Sequence, residues 1–147
     1  MRHLALILLL SACTATPLPP ASIPVRNLTM PVASQADATL ERLRGDWVVV
    51  QGAGMAPGAR LRFEEDRVSL VGGVSPVVQT GPGRVRIGGE EIWIHWIDAD
   101  GRTAALGDPG GARVWIMDRS GRPGERLVAA RTILDWYGYD LERMEGS

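Results

Sequence analysis

Between Leu43 and Arg119 the chain repeats one pattern eight times: a short alternating or β-branched run, then a turn rich in glycine, proline or aspartate. The runs are Trp47–Gln51, Arg60–Phe63, Arg67–Val71, Pro76–Thr80, Arg84–Ile87, Glu91–Ile97, Arg102–Leu106 and Arg113–Asp118. Arg60-Leu61-Arg62-Phe63 and Arg84-Val85-Arg86-Ile87 have the period of two that marks a half-buried strand. Trp47-Val48-Val49-Val50 is β-branched, which suits a pleated surface. Gly72-Gly73, Gly81-Pro82-Gly83, Gly88-Gly89 and Asp98-Ala99-Asp100-Gly101 supply the turns. Short strands at this spacing form a sandwich or a barrel, with antiparallel neighbours. Turn geometry accounts for these glycines, and no strand–GxxxxGK[ST]–helix arrangement is present.

After Asp118 the period changes. Leu127, Ala130, Leu134 and Tyr137 fall on one helical stripe. Pro123 suits the first turn of a helix and Gly138 its end. The spacing predicts a helix of three to four turns whose apolar face packs on the outside of the β-structure.

The N-terminus has a different texture. Met1-Arg2-His3 is a basic start, Leu4–Leu10 an unbroken apolar run, and Leu10-Ser11-Ala12-Cys13 follows. These are the parts of a secretory signal, and the run is well short of the roughly 20 apolar residues that span a bilayer. The tetrapeptide resembles the lipobox of bacterial lipoproteins. That resemblance implies cleavage before Cys13, acylation of its thiol and of the new N-terminus, and a permanent membrane tether. Cys13 is the only cysteine, so no internal disulfide can form. Thr14 follows where sorting rules of Gram-negative lipoproteins use Asp for retention at the inner membrane, which implies the periplasmic face of the outer membrane. The chain divides into a signal peptide (1–12), a lipid-anchored flexible linker (13–39) and a barrel domain with its helix (40–147). The linker assignment rests on Pro17, Pro19, Pro20, Pro24 and Pro31 among Ala, Ser and Thr, with no apolar period.

Gly45-Asp46-Trp47 before the first run and Arg119 after the last one resemble the G-x-W and closing arginine of the lipocalins. There the arginine covers the tryptophan and closes one end of the barrel. Leu106-Gly107-Asp108-Pro109, then Trp115-Ile116-Met117-Asp118-Arg119, then a helix ending in Gly138-Tyr139-Asp140 follow the order found in bacterial outer-membrane lipocalins. The resemblance spans about residues 40–145 and is most specific over 106–144. It implies an all-β fold: a small eight-stranded antiparallel up-and-down barrel with one C-terminal α-helix packed outside. It also implies Gly45, Trp47 and Arg119 as the barrel-closing group, and a fatty acid or lysophospholipid as ligand.

The remaining chemistry is sparse. The net charge of −1 offers no general attraction to nucleic acid, and no nucleic-acid partner is expected. All sixteen basic residues are Arg and they are scattered. Beyond the signal His95 is the only histidine, on a strand, without clustered carboxylates to make a metal site. No G-x-S-x-G elbow is present. Neither catalysis, a metal nor a cofactor is expected. Strict alternation along Glu91–Ile97 puts Ile92, Ile94 and Trp96 on one face and Trp93, His95 and Ile97 on the other. Val49, Phe63, Ile94 and Trp96 are the candidate ligand wall. Strands this short, about 17–20 Å, make a barrel that large side chains can fill. Two readings follow. One is a cup for a small hydrophobic ligand; the other is a filled barrel acting through its surface, as an envelope-assembly factor or a protease inhibitor, with its protein partner unidentified.

Overall fold

A computed structural model describes residues 18–146. The signal segment 1–12 and Cys13 lie outside the described residues. Eight strands follow one another round a closed barrel, each antiparallel to its neighbours, with the last pairing to the first. They are β1 (Gly45–Ala53), β2 (Arg60–Phe63), β3 (Arg67–Leu70), β4 (Gly73–Gly81), β5 (Arg84–Ile87), β6 (Glu90–Ile97), β7 (Thr103–Gly107) and β8 (Val114–Asp118). Each of the eight expected runs is a strand. A four-residue helix, α1 (Leu40–Leu43), precedes the barrel, and α2 (Arg126–Trp136) follows it.

The side chains sort into two layers. Inside are Trp47, Val49, Leu61, Phe63, Val68, Val77, Val85, Ile92, Ile94, Leu106, Trp115 and Met117. The second layer lies outside the wall formed by β6–β8 and the end of β1. There Ala105, Val114 and Ile116 meet Ala130 and Leu134 of α2, together with Val25 and Tyr139. This explains why β7 and β8 are buried at every position: one face fills the barrel and the other lies under the helix. The β2–β5 side has no such cover, so Arg60, Arg62, Arg84 and Arg86 point to solvent between buried neighbours. Gly138 ends α2 at φ +85°, and the Tyr139 amide donates to Leu134 O at 3.1 Å beyond it, the cap geometry that a left-handed glycine makes accessible.

The ladder register slips at three places, one of them at Thr80 near the end of β4, and the other two shift the inside–outside pattern beside α2. The β1–β8 register slips at Val50 and the β6–β7 register at His95. An extra residue reverses the parity of everything after it. Past the first bulge Gln51 faces α2, where its side-chain oxygen accepts from Arg131 Nη1 at 2.5 Å. Past the second, Ile97 rather than Trp96 points inward.

The reading of residues 13–39 as a flexible linker is corrected for its described part. Residues 18–39 form neither a helix nor a long strand, yet they lie against the barrel. The Val25 amide donates to Gly111 O at 2.8 Å and the Asn27 amide to Gly138 O at 2.8 Å. Val25 is 1% exposed. Farther along, Gln35 donates its amide to Ile94 O at 2.8 Å and accepts from the Ile97 amide through Oε1 at 2.9 Å. The reason is the length of β5. Its pairing with β6 reaches only to Arg84 and Trp93, which leaves the far end of β6 as an unpaired edge, and Gln35 takes the place of the missing strand. An edge of this kind must be paired or covered. Proline-rich composition rules out a regular strand, but not single hydrogen bonds to an edge.

Candidate functional site

At one end the barrel is shut. Trp47 projects inward from β1, and its indole N–H donates to Leu43 O at 2.7 Å, so α1 sits on it as a plug. The Arg119 guanidinium lies over the indole, 3.7 Å from the ring centroid. Its nitrogens donate to Arg44 O (2.6 Å), Arg42 O (2.9 Å) and Gly101 O (3.1 Å). Gly45 has φ +100°, and a Cβ there would stand 3.0 Å from Arg119 Nη1. The three residues of the expected closing group therefore meet. Beside them Asp118 is buried. Burial alone would raise its carboxyl, but bonds from Thr103 Oγ1, from the Ser120 hydroxyl and amide, and from the Arg122 amide outweigh this and lower it.

Of the four expected wall residues, Val49, Phe63 and Ile94 lie inside, each at most 2% exposed. They belong to the packed interior, and none of them lines the cavity at the mouth. Trp96 is corrected: the bulge at His95 turns it outward, where it packs with the layer around α2. Simple alternation could not reveal that inserted residue.

The space in the barrel lies at the opposite end from Trp47. A cavity of about 180 Å³ opens at this mouth, lined by Met55, Leu61, Val68, Leu70, Ile92 and Trp115 and rimmed by Ser75, Glu90 and Arg113. Arg113 is committed at the rim: it pairs with Glu90 at 3.0 Å and donates to Leu18 O and Gly54 O. Inside the rim the lining side chains are apolar or aromatic, and one of them carries a polar atom. Trp115 Nε1 is the only buried side-chain polar atom among the described residues without a hydrogen-bond partner. A buried donor without an acceptor costs about 1–3 kcal/mol, so its presence beside a cavity is informative. Little in the sequence marks Trp115, because both faces of its strand are apolar.

His95 is engaged elsewhere. On the outer face of β6, its Nδ1 is 2.7 Å from Ala33 O and its Nε2 2.8 Å from the Tyr139 hydroxyl. The carbonyl can only accept, so Nδ1 carries the proton, and the single Tyr139 hydroxyl proton is shared between Nε2 and a second acceptor. That hydroxyl also lies 3.0 Å from Asp108 O. Burial lowers the imidazole pKa to about 4; the Ala33 bond opposes the shift and the charge of Arg26 adds to it. Burial also pushes the Tyr139 hydroxyl upward. This histidine joins the N-terminal segment to the C-terminal one. Among the described residues no three of His, Cys, Asp and Glu gather as metal ligands, and no helix is long and apolar enough to cross a membrane.

A scan against protein-family models finds no match for this chain, and a search of the curated proteins finds none either.

Proposed function

We propose that this chain is a membrane-tethered, lipocalin-like barrel that receives a small hydrophobic ligand at its mouth. The supporting observation is the mainly apolar cavity lined by Leu61, Val68, Ile92 and Trp115, with Ser75, Glu90 and Arg113 at its rim. A ligand with an apolar body and a polar end matches an apolar lining with a polar rim. The volume restricts which part of a ligand enters. Apolar cavities of about 150 Å³ hold one benzene-sized molecule, and drug-sized ligands occupy roughly 300–1,000 Å³. A fatty acid or lysophospholipid therefore places only part of its chain inside. The lipobox-like Leu10-Ser11-Ala12-Cys13 motivates the tether, through lipid on Cys13 at the periplasmic face of the outer membrane. Titrating a fatty acid or a lysophospholipid while following tryptophan emission tests the reading. Saturable change is expected, and emission that stays constant to millimolar ligand refutes it.

A second reading has its own observation. Below the mouth the interior is packed, while Val71, Val74 and Val78 at the β3–β4 hairpin and along β4 are exposed. These valines suit a barrel that works through its surface, as an envelope-assembly factor or a protease inhibitor. Capture of a defined protein from envelope extract, lost on Val74→Ser with Val78→Ser, would favour it.

A further inference from the structure

The two ends of the barrel differ in surface chemistry. Ion pairs surround the closed end: Arg42–Asp37, Arg44–Glu65, Arg62–Asp46 and Arg67–Glu64 lie about α1 and the β2–β3 turn. Among the described residues the mouth end has only the Arg113–Glu90 pair. It carries exposed apolar side chains instead. Val71 and Val74 stand on the β3–β4 hairpin. Leu18 and Ile23 are exposed on the N-terminal segment where it runs beside the β7–β8 loop. Trp136 is exposed at the end of α2. It adjoins Tyr137, whose carbonyl shares the Arg26 guanidinium with Pro109 of that loop. The β3–β4 hairpin and α2, which packs on β7, are nearly half a turn apart round the barrel. Exposed apolar residues scattered singly need no explanation. Val78 on β4 and Val128 in the first turn of α2 are of that kind. A ring of them round one opening, at the end poor in charge, marks a contact surface.

The position of Leu18 indicates what that surface meets. Its carbonyl accepts from Arg113 Nη1 at 2.8 Å, which fixes it at the rim of the cavity. Residues 14–17 are all that separate it from Cys13. Five steps along an extended chain reach at most about 18 Å, and a five-residue strand such as β7 or β8 is about 17 Å long. A lipid on Cys13 therefore holds the rim close to the bilayer, on a leash about as long as the wall is high. We propose that the mouth end is a membrane-docking face, with Leu18, Ile23, Val71, Val74 and Trp136 seated in the bilayer interface and the cavity opening onto lipid. Tryptophan favours that interface, and shallow burial of apolar side chains there adds to the hold of a lipid anchor. The docking face rests on the proposed tether at Cys13. It adds the orientation of the barrel, the residues that contact lipid and the side from which the cavity is reached.

The full sequence is expressed in a Gram-negative host, and the processed chain is reconstituted into phosphatidylethanolamine–phosphatidylglycerol vesicles whose acyl chains carry bromine, a contact quencher. With Cys13 acylated, Val74→Cys, Trp136→Cys and Glu65→Cys each supply one free thiol for a fluorescent label. All three positions are exposed, and Glu65 stands at the closed end. The labels at Val74 and Trp136 should lose emission and the label at Glu65 should not. Ile23→Asp with Val71→Asp, which leaves the tether intact, should restore emission at both mouth positions. Equal loss at Glu65, loss at only one mouth position, or loss that survives the two aspartates overturns the docking face. The vesicles hold no other protein, so valines that serve only a protein partner would leave the Val74 label bright, which overturns it as well. In each of these cases flotation of the chain with the vesicles leaves the tether standing. A chain that does not float refutes the tether, and the docking face falls with it.

Discussion

The guanidinium carbon of Arg119, on the segment leaving the last strand, stands 3.7 Å from the centre of the Trp47 indole on the first. That one contact joins the two ends of the barrel sequence. The arginine also binds carbonyls of Arg42 and Arg44, which flank the end of α1, and of Gly101, in the β6–β7 turn. Three separate parts of the closed end therefore depend on one side chain. Arg119→Ala is expected to destabilise the fold by about 2–4 kcal/mol, from the lost cation–π contact and the carbonyls left without donors. Arg119→Lys should recover only a fraction, since an ammonium cannot reach the same spread of acceptors. Urea midpoints of the three proteins check this, and equal midpoints would contradict it.

Stability should decline in mild acid because of His95. Its folded pKa of about 4 lies below the ordinary imidazole value of 6.5. Between those values the unfolded chain binds a proton that the folded one does not, so stability is full above about pH 6.5 and falls as the pH drops toward 4. The loss is on the order of 3 kcal/mol. His95→Gln should flatten the pH dependence in that window. A urea midpoint that stays level from pH 7 to 4.5 in the parent chain would count against the neutral, buried imidazole. Asp118 acts in a lower range. Its carboxyl is lowered from 3.8, so its contribution is present above that value and is lost as the pH falls through the folded pKa.

Trp115 separates folding from binding. Its N–H has no partner, so Trp115→Phe removes an unsatisfied donor while keeping an aromatic ring. Calorimetry should find Tm unchanged or raised, with the gain limited to about 1–3 kcal/mol by the penalty removed and offset by the smaller ring. Ligand affinity should fall in the same variant if the cavity is the site. A large loss of stability would mean that the N–H is satisfied in solution.

The attachment of the N-terminal segment can be tested at one amide. The Ile97 N–H has Gln35 Oε1 as its acceptor at 2.9 Å. Gln35→Ala should accelerate hydrogen exchange at Ile97 and leave the β7–β8 amides protected. Gly83→Ala should act similarly by another route. Its φ is +65°, and a Cβ would fall 2.3 Å from Gln35 O, so the segment must lift away. Unchanged exchange at Ile97 in both variants would show that the segment does not hold this edge.

The sequence determined the eight strands, the turns between them and the outer helix, because each is a local pattern: alternation, glycine placement, one helical stripe. It also supplied Gly45, Trp47 and Arg119 through resemblance, and their meeting is a geometric outcome. Tertiary structure decided which way Trp96 faces, since one bulge residue reverses parity and leaves no mark in composition. Only the fold could show that β5 begins too late to cover the far end of β6, and so that Gln35 in a proline-rich stretch has an edge to fill. Only the fold could show where the interior space lies. Val49, Phe63 and Ile94 are as apolar as Leu61, Val68 and Ile92, and burial looks the same in both sets of side chains. What distinguishes them is height along the barrel. The closed end is sealed by Arg119, Trp47 and α1, while the cavity lies toward the other end, and that depends on how the strands are arranged rather than on residue type.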